Sequence, residues 1–217
     1  MAEPSDDPGA DVPPAGARRV NVDAPRVGRW LDGFAERHGG AEQVATETGV
    51  RLTGADGARA WIAVPFPPLR GRLVDHLGTE RTVGVLLVRR GGWAVGVFRG
   101  RQLTAAKTGT GYVQGTTKAG GWSQQRFARR RANQAAALFG AAADAAVALF
   151  TGPEAPALDA LVCGGDRAAV DDVLADPRLG PIVALRTGPW LAVPDPRRKV
   201  LEATPDRFLG VEVALDP

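Results

Sequence analysis

The chain has few of the residues on which most enzyme active sites depend. Its 217 residues include a single cysteine, Cys163, and only two histidines, His38 and His76. One cysteine excludes an internal disulfide and any zinc site built from several cysteines. Two histidines far from the segment described below make a catalytic triad or a zinc hydrolase site a poor match. The sequence therefore predicts no metal and no cofactor.

Long hydrophobic runs and nucleotide-binding motifs are also missing. No segment has the roughly 18–20 consecutive apolar residues of a membrane span. The acidic, proline-rich N-terminal residues include no apolar stretch typical of a secretory signal. Neither the GxxxxGK[ST] nor the GxGxxG pattern occurs. We therefore expect a cytoplasmic protein with no membrane segment and, because no heptad repeat is visible, a monomer.

Acidic residues are absent from a long internal segment. Between Arg81 and Ala143 there are eleven lysines and arginines and no Asp or Glu, although the whole chain has a net charge of only +3. The rest of the chain is therefore acidic overall. Like charges gathered in one region repel one another unless a partner neutralises them. This segment indicates a polyanionic partner, and nucleic acid is the partner we expect.

The helix and strand signals divide the chain into three parts. Residues 1–17 contain four prolines, four acids and little to bury, so a disordered tail is expected. Residues 18–80 predict a small αβ portion packed on the main domain, with a helix from Pro25 to Gly39 and a hairpin over 50–64. Residues 81–217 predict the main domain, which carries the candidate functional site.

Within the main domain a meander of strands precedes a long helix and a set of β-α-β units. This order predicts an α/β fold with a mixed sheet and helices on its faces. The predicted strands are 82–88, 93–98, 102–106, 158–163, 182–185 and 209–215, and the predicted helices are 123–150, 167–174 and 197–204.

The glycine-rich segment, residues 107–121, is the strongest candidate for a functional site. Its glycines let the backbone approach a ligand closely. Gln124 and Gln125, which follow it, offer neutral amides that orient a water molecule but cannot remove a proton. Conventional acid–base catalysis is therefore not expected there. Such a site works by positioning and by backbone hydrogen bonds to developing charge.

Basic and aromatic residues surround these glutamines. A run of arginines without nearby carboxylates favours phosphate binding over a merely solvated helix face. Aromatic residues in a polar, glycine-rich segment are suited to stacking on an unpaired RNA base. The candidate RNA-binding residues are Lys107, Tyr112, Lys118, Trp122, Arg126, Arg129, Arg130 and Arg131.

Two motifs in this region carry a family resemblance. They are Gly-Tyr-Val-Gln-Gly at 111–115 and KAGGWSQQRFARRR at 118–131. The sequence resembles the actinobacterial release-factor-like peptidyl-tRNA hydrolases, relatives of the eukaryotic ankyrin-repeat and zinc-finger peptidyl-tRNA hydrolases of ribosome quality control. Both groups resemble the Gly-Gly-Gln-bearing middle domain of eukaryotic class 1 release factors. The fold so implied is an RNase H-like mixed sheet with a long helix after a glycine-rich catalytic loop.

The resemblance also implies a function and a site. In this family a Gly-x-x-Gln loop enters the peptidyl-transferase centre, and its glutamine is essential for detaching the nascent chain from tRNA. Here Gly121 to Gln124 match that motif, so Gln124 would position the attacking water while Gly120 and Gly121 supply backbone freedom. The implied partners are the CCA end of peptidyl-tRNA and the rRNA of the large ribosomal subunit. The implied activity is peptidyl-tRNA hydrolysis on stalled large subunits.

Several alternatives stay open. Trp122 and Ser123 separate the glycine pair from the glutamine, and Gln125 directly follows Gln124, so either glutamine could be the essential one. The chain could instead cut tRNA near its 3′ end with the neighbouring ribose 2′-OH as nucleophile, or act as a non-catalytic RNA-binding module. The sequence does not distinguish free from ribosome-bound peptidyl-tRNA as the substrate.

Overall fold

The computed structural model describes residues 12–111 and 122–216, and for residues 122–128 and 131 this description covers the backbone. The strands are β1 (Arg18–Asp23), β2 (Ala41–Ala45), β3 (Gly49–Gly54), β4 (Arg59–Ala63), β5 (Thr82–Arg89), β6 (Gly92–Arg99), β7 (Gln102–Thr110), β8 (Ala160–Gly165) and β9 (Gly210–Leu215). The helices are α1 (Val27–Arg37), α2 (Leu73–Gly78), α3 (Trp122–Phe150), α4 (Arg167–Leu174), α5 (Gly180–Val183), α6 (Arg198–Glu202) and α7 (Pro205–Phe208).

The chain forms two compact units. One comprises Met1–Thr79 with Leu209–Pro217, and the other comprises Glu80–Phe208. The last strand, β9, pairs with β1 and β4 in the first unit. The predicted main domain, residues 81–217, includes β9, whose observed hydrogen-bonded neighbours are both strands of the first unit.

The first unit is an antiparallel sheet with the strand order β1-β9-β4-β3-β2. Its core joins Val27 and Phe34 of α1 to Leu52, Ile62 and Val213 on the central strands. The predicted helix and hairpin are confirmed. The two edge strands, β1 and β2, were not predicted, because they are only 6 and 5 residues long and neither contains a fully buried residue.

The second unit is built on a mixed sheet with the order β7-β6-β5-β8. β5, β6 and β7 form an antiparallel meander, whereas β8 runs parallel to β5. The predicted α/β fold with a mixed sheet and a long following helix is therefore confirmed. β7 is longer than predicted and reaches Thr110, so the ordered sheet extends into the glycine-rich segment.

The long helix α3 crosses one face of this sheet from end to end. Leu138 lies at the end of β7, where a Cβ on Gly111 would be 2.8 Å from its Cδ1 atom. Phe150 lies at the start of β5, where a Cβ on Gly84 would be 3.1 Å from its ring. Between these points α3 packs on the sheet, and α4 adds buried residues such as Val170 to the same core.

The opposite face of the sheet is covered by the chain that leads through α6 and α7. Leu201 packs against β6, because a Cβ on Gly96 would lie 2.8 Å from its Cδ2 atom. Phe208 meets Phe98 edge to face, with ring centroids 5.6 Å apart. The central strands β5 and β6 are therefore buried on both faces. Exposed positions of the sheet lie on the edge strand β7 and at the ends of the strands.

One predicted strand is wrong. Residues 182–185 were predicted as a strand, but the chain is helical over Gly180–Val183. Pro181 occupies the first turn of α5, where its fixed φ and missing N–H are tolerated. Short apolar runs do not distinguish a buried helical turn from a strand. At the outer edge of β8, the chain makes two isolated β-bridges, from Arg186 to Leu161 and from Leu191 to Gly164.

Among the described residues, one stretch is long and apolar enough to cross a membrane by length and composition. It is Ala132–Phe150 in α3, about a third of which is buried in the fold. The core helix of a soluble protein has the same properties. Because Leu138, Ala142 and Phe150 belong to the core of the second unit, we interpret the stretch as a core helix.

Candidate nucleic-acid interface

The candidate site is built around the end of β7 and the beginning of α3. β7 ends at Thr110, and α3 begins at Trp122. Gln124, Gln125 and Arg126 are in the first turns of the helix, and for these residues the structure gives backbone position alone. Four predicted site residues fall between the two elements and lie outside the described residues: Tyr112, Lys118, Gly120 and Gly121.

Within the glycine-rich segment, the residues at the end of β7 are tightly packed, and we call them the segment root (Gly109–Gly111). Trp93 lies opposite Gly109 in the β6–β7 pairing. A Cβ on Gly109 would be 2.5 Å from the Trp93 indole, so the ring covers the strand backbone directly. The Gly111 amide donates a hydrogen bond to the Gly91 carbonyl at 3.2 Å. These contacts fix where the chain leaves the sheet.

The N-terminal part of α3 projects beyond the sheet. Arg129 and Arg130 are exposed, Gln134 and Ala135 are half-buried, and Leu138, beside the segment root, is the first fully buried residue among the described side chains of α3. At 1.5 Å per residue, Trp122 lies about 24 Å along the helix axis from Leu138. The fold therefore holds the beginning of α3 at a distance from its own core.

The two adjacent glutamine positions lie on different sides of this projecting helix. With 3.6 residues per turn, position 124 lies about 40° around the helix axis from position 138. Position 125 lies about 140° from position 138 by the same geometry. Position 124 therefore shares the helix face of Leu138, which is the face directed at the segment root.

The basic residues of the acid-free segment fall into two groups. One group is paired with carboxylates: Arg81 with Asp159, Arg89 with Asp166 and Asp195, Arg99 with Glu80, and Arg101 with Asp206. The other group is exposed and makes no hydrogen bond or ion pair with the rest of the described chain: Arg90, Lys107, Arg129 and Arg130. Three of this second group were predicted RNA-binding residues; the side chains of Arg126 and Arg131 are not described.

The charge at the beginning of α3 opposes the stability of the helix. No acidic residue occurs in its first turn. The helix dipole favours anions there, and the sequence supplies none. Arg126 and Arg130 are four residues apart, a spacing at which like charges repel. A helix end with these two properties is suited to an anionic partner that neutralises it.

Lys107 lies at the edge of the same face of the sheet. It is exposed on β7, opposite Val95 and two residues before Gly109. Since strand residues alternate between faces, Lys107 shares the α3 side with Val95 and Trp93, both of which are in the core. The structure therefore brings Lys107 to the segment root, where it was predicted to extend the basic patch.

The described residues offer no conventional catalytic group at this site. No cluster of three or more His, Cys, Asp or Glu residues able to hold a metal occurs in 12–111 and 122–216. Cys163 is buried, and burial raises the pKa of its thiol to about 12, so it is not a thiolate at neutral pH. His38 is hydrogen-bonded to Asp56, and His76 to the Pro65 carbonyl, both in the first unit.

The sequence of the second unit matches a known release-factor family. A family model for the Actinobacteria/chloroflexi VLRF1 release factor matches residues 81–214, which is more than half of the chain. No curated protein sequence matches. Among solved structures, the crystal structure of archaeal translation termination factor aRF1 is similar at 14% identity and a TM-score of 0.40. That match covers 74% of this chain but only 49% of the archaeal one, so the chain spans about half its length.

Proposed function

The chain belongs to the Actinobacteria/chloroflexi VLRF1 release-factor family, and on this premise we propose that it is a peptidyl-tRNA hydrolase. It releases nascent chains from tRNA on stalled large ribosomal subunits. The observation that carries the proposal is the N-terminal end of α3, which begins about 24 Å along the helix axis from Leu138. This end bears Gln124 together with Arg129 and Arg130, which are exposed and unpaired among the described residues, and it has no carboxylate neighbour along the sequence.

The projecting helix suits a buried RNA target. A reaction centre enclosed by rRNA is reached only by an extended element, and the phosphates that line it repel carboxylates. The exposed side chains of Arg129 and Arg130 have no partner in the described chain that would have to be displaced. Phosphate contacts by these residues would hold the helix while Gly120 and Gly121 allow the preceding backbone to approach the ester.

The proposed reaction is hydrolysis of the ester that joins the peptide to the tRNA 3′-terminal ribose. Water adds to the carbonyl carbon, the bond to the ribose oxygen breaks, and the ribose hydroxyl leaves with a proton. A neutral glutamine amide orients the water but does not take its proton. The adjacent ribose hydroxyl would relay that proton. Catalysis then rests on positioning and on hydrogen bonds to the developing oxyanion.

Gln124 is the better candidate for the essential glutamine. Position 124 lies on the face of α3 that is directed at the segment root, whereas position 125 lies about 140° away from Leu138. A water held by Gln124 would therefore lie on the side of α3 that faces the segment root. Gln125 would face away from that side and contact the surrounding RNA.

The test of the activity uses large subunits that carry a stalled, labelled peptidyl-tRNA. We expect the protein to release the peptide and to leave tRNA with an intact CCA end. A tRNA with a shortened 3′ end would show a nuclease. Retained binding without any release would show a docking module. Free peptidyl-tRNA, assayed in parallel, determines whether the ribosomal subunit is required.

The test of the residues compares Gln124→Ala with Gln125→Ala. Loss of one positioned group in such a site typically lowers the rate about 10²–10³-fold, and we expect this for Gln124→Ala. Gln125→Ala is the matched control, since it removes the same side chain one residue along the same helix. Equal release by wild type and Gln124→Ala would contradict the assignment. A large loss in Gln125→Ala alone would transfer the role to that residue.

A further inference from the structure

Three exposed cations on separate elements surround the segment root. Arg90 lies in the β5–β6 turn, Lys107 lies on β7, and Arg197 directly precedes α6. All three side chains are exposed, and none makes a hydrogen bond or ion pair with the part of the chain that the structure describes. Arg90 and Arg197 are distant in sequence from the glutamines, and neither was predicted to bind RNA.

Backbone packing brings the turn that holds Arg90 to the end of β7. The next residue, Gly91, accepts the hydrogen bond from the Gly111 amide. Gly92 pairs with Thr110 in the β6–β7 ladder. Arg90 is therefore one residue from a direct hydrogen bond to the segment root.

Arg197 reaches the same place from the other face of the sheet. A Cβ on Gly92 would lie 2.7 Å from the Gly109 carbonyl oxygen and 3.4 Å from that of Pro196. Pro196 is buried, and Arg197 follows it at the surface. Lys107 stands on the α3 face, so cations flank the segment root from both faces of the sheet.

Nearby carboxylates neutralise part of this charge. Asp166 and Asp195 each lie within 4.0 Å of the Arg89 guanidinium, and an Asp195 oxygen would be 2.7 Å from a Cβ on Gly91. With Arg89 included, four cations and two carboxylates leave a net charge of +2 around the segment root. Since like charges repel, this excess is unfavourable for the free protein and favourable for a bound polyanion.

We propose that Arg90, Lys107 and Arg197 form a phosphate-binding rim for RNA at the segment root, separate from the arginines of α3. The inference rests on the proposed function, which brings RNA to this end of the fold. The arginines of α3 would bind RNA deep in the target, whereas the rim binds the RNA backbone about 12–18 Å nearer to the core along the helix axis. Two separated contacts of this kind fix the direction in which α3 points.

The test is the salt dependence of binding to a fluorescein-labelled RNA hairpin that ends in single-stranded CCA. The full chain is compared with the triple variant Arg90→Ser, Lys107→Ser, Arg197→Ser. Each lost phosphate contact on a single strand reduces the slope of log K against log salt by about 0.7. Between 50 and 200 mM salt the wild type should therefore lose about 20-fold more affinity than the variant.

The matched control removes three arginines that are paired with carboxylates: Arg99→Ser, Arg101→Ser, Arg198→Ser. Its net charge equals that of the rim variant, and Arg198 is the neighbour of Arg197. We expect the control to keep the wild-type slope, and both variants to keep the wild-type melting temperature within a few degrees. Equal slopes of log K against log salt in the two variants would overturn the proposed phosphate-binding rim.

A further arm separates RNA from other anions. Polyglutamate of matched length should bind far more weakly than the hairpin, and the rim variant should lose affinity for the hairpin. If polyglutamate binds as tightly as the hairpin and its affinity falls as much in the rim variant, the surface is a general anion site and the RNA assignment is wrong. The hairpin carries no peptide ester, so a failure of the proposed hydrolysis would leave this binding result unchanged.

Discussion

Replacement of Gly109 by alanine tests whether Trp93 holds the segment root in place. The added Cβ would lie 2.5 Å from Cε2 of the indole and 2.6 Å from its Cζ2 and Nε1 atoms. Ordinary contacts for such an atom are 3.4–4 Å. Either the indole or the end of β7 must therefore move by about 1 Å, and Trp93 is only 8% exposed in a close-packed core.

The expected magnitude follows from this overlap. Extra atoms forced into a packed core typically cost about 1–3 kcal/mol. For a chain of this size, each 1 kcal/mol lowers the melting temperature by about 2–4 °C. Urea unfolding of the full chain, followed by circular dichroism, should show the lower stability. Peptide release should also fall, because the chain leaves the sheet in a new direction, although Gln124 is untouched.

The matched control is Gly140→Ala in α3. A Cβ there meets nothing within 4 Å, and alanine in a helix interior is typically more stable than glycine by about 0.5–1 kcal/mol. The same substitution should therefore stabilise the chain at 140 and destabilise it at 109. A Trp93→Leu background should remove much of the cost of Gly109→Ala, since the two residues are coupled. An unchanged cost in that background, or wild-type stability of Gly109→Ala, would refute the reasoning.

Three further predictions concern single positions. Gly49→Ala should unfold the first unit, since its Cβ would lie 1.9 Å from the Ile62 carbonyl oxygen; a cooperative urea transition at the wild-type midpoint would contradict this. Hydrogen bonds from Arg178 lower the pKa of Asp176 from 3.8 to about 2. Ionised Asp176 therefore stabilises the fold above pH about 4, and this contribution is lost as the pH falls toward 2. In acid titrations between these pH values, Asp176→Asn should lose less stability than the wild type. Cys163, whose pKa burial raises to about 12, should react with a thiol reagent at pH 8 only after urea unfolds the chain, and rapid labelling of the native protein would count against its burial.

The strands of the second unit were predictable because their apolar sequences match their buried positions in the sheet. β5 and β6 are almost wholly buried and are joined by Gly91 and Gly92, so an apolar run and a turn signal coincide. The polar edge strand β1 lacked such a run and was missed. β1 forms a strand because it pairs with β9, which is nearly two hundred residues away in sequence. A local sequence pattern does not indicate such a distant partner.

The candidate site was predictable from composition, but the state of its charges was not. A run of cations without acids is visible in the sequence. Which cations are free depends on partners that are distant along the chain, as with Arg101 and Asp206, 105 residues apart. Arg90 and Arg99 look equivalent in sequence, yet Arg99 is bound to Glu80 and Arg90 is unpaired among the described residues. Only the fold separates them.

The most direct measurement of the proposed hydrolysis uses water enriched in oxygen-18. Stalled large subunits with peptidyl-tRNA are treated with the protein in this water, and the released peptide is examined by mass spectrometry. Attack of water on the ester carbonyl predicts one heavy oxygen in the C-terminal carboxylate of each peptide, together with an intact CCA end. A released peptide that is still esterified to a nucleotide fragment, with no heavy oxygen, would contradict ester hydrolysis.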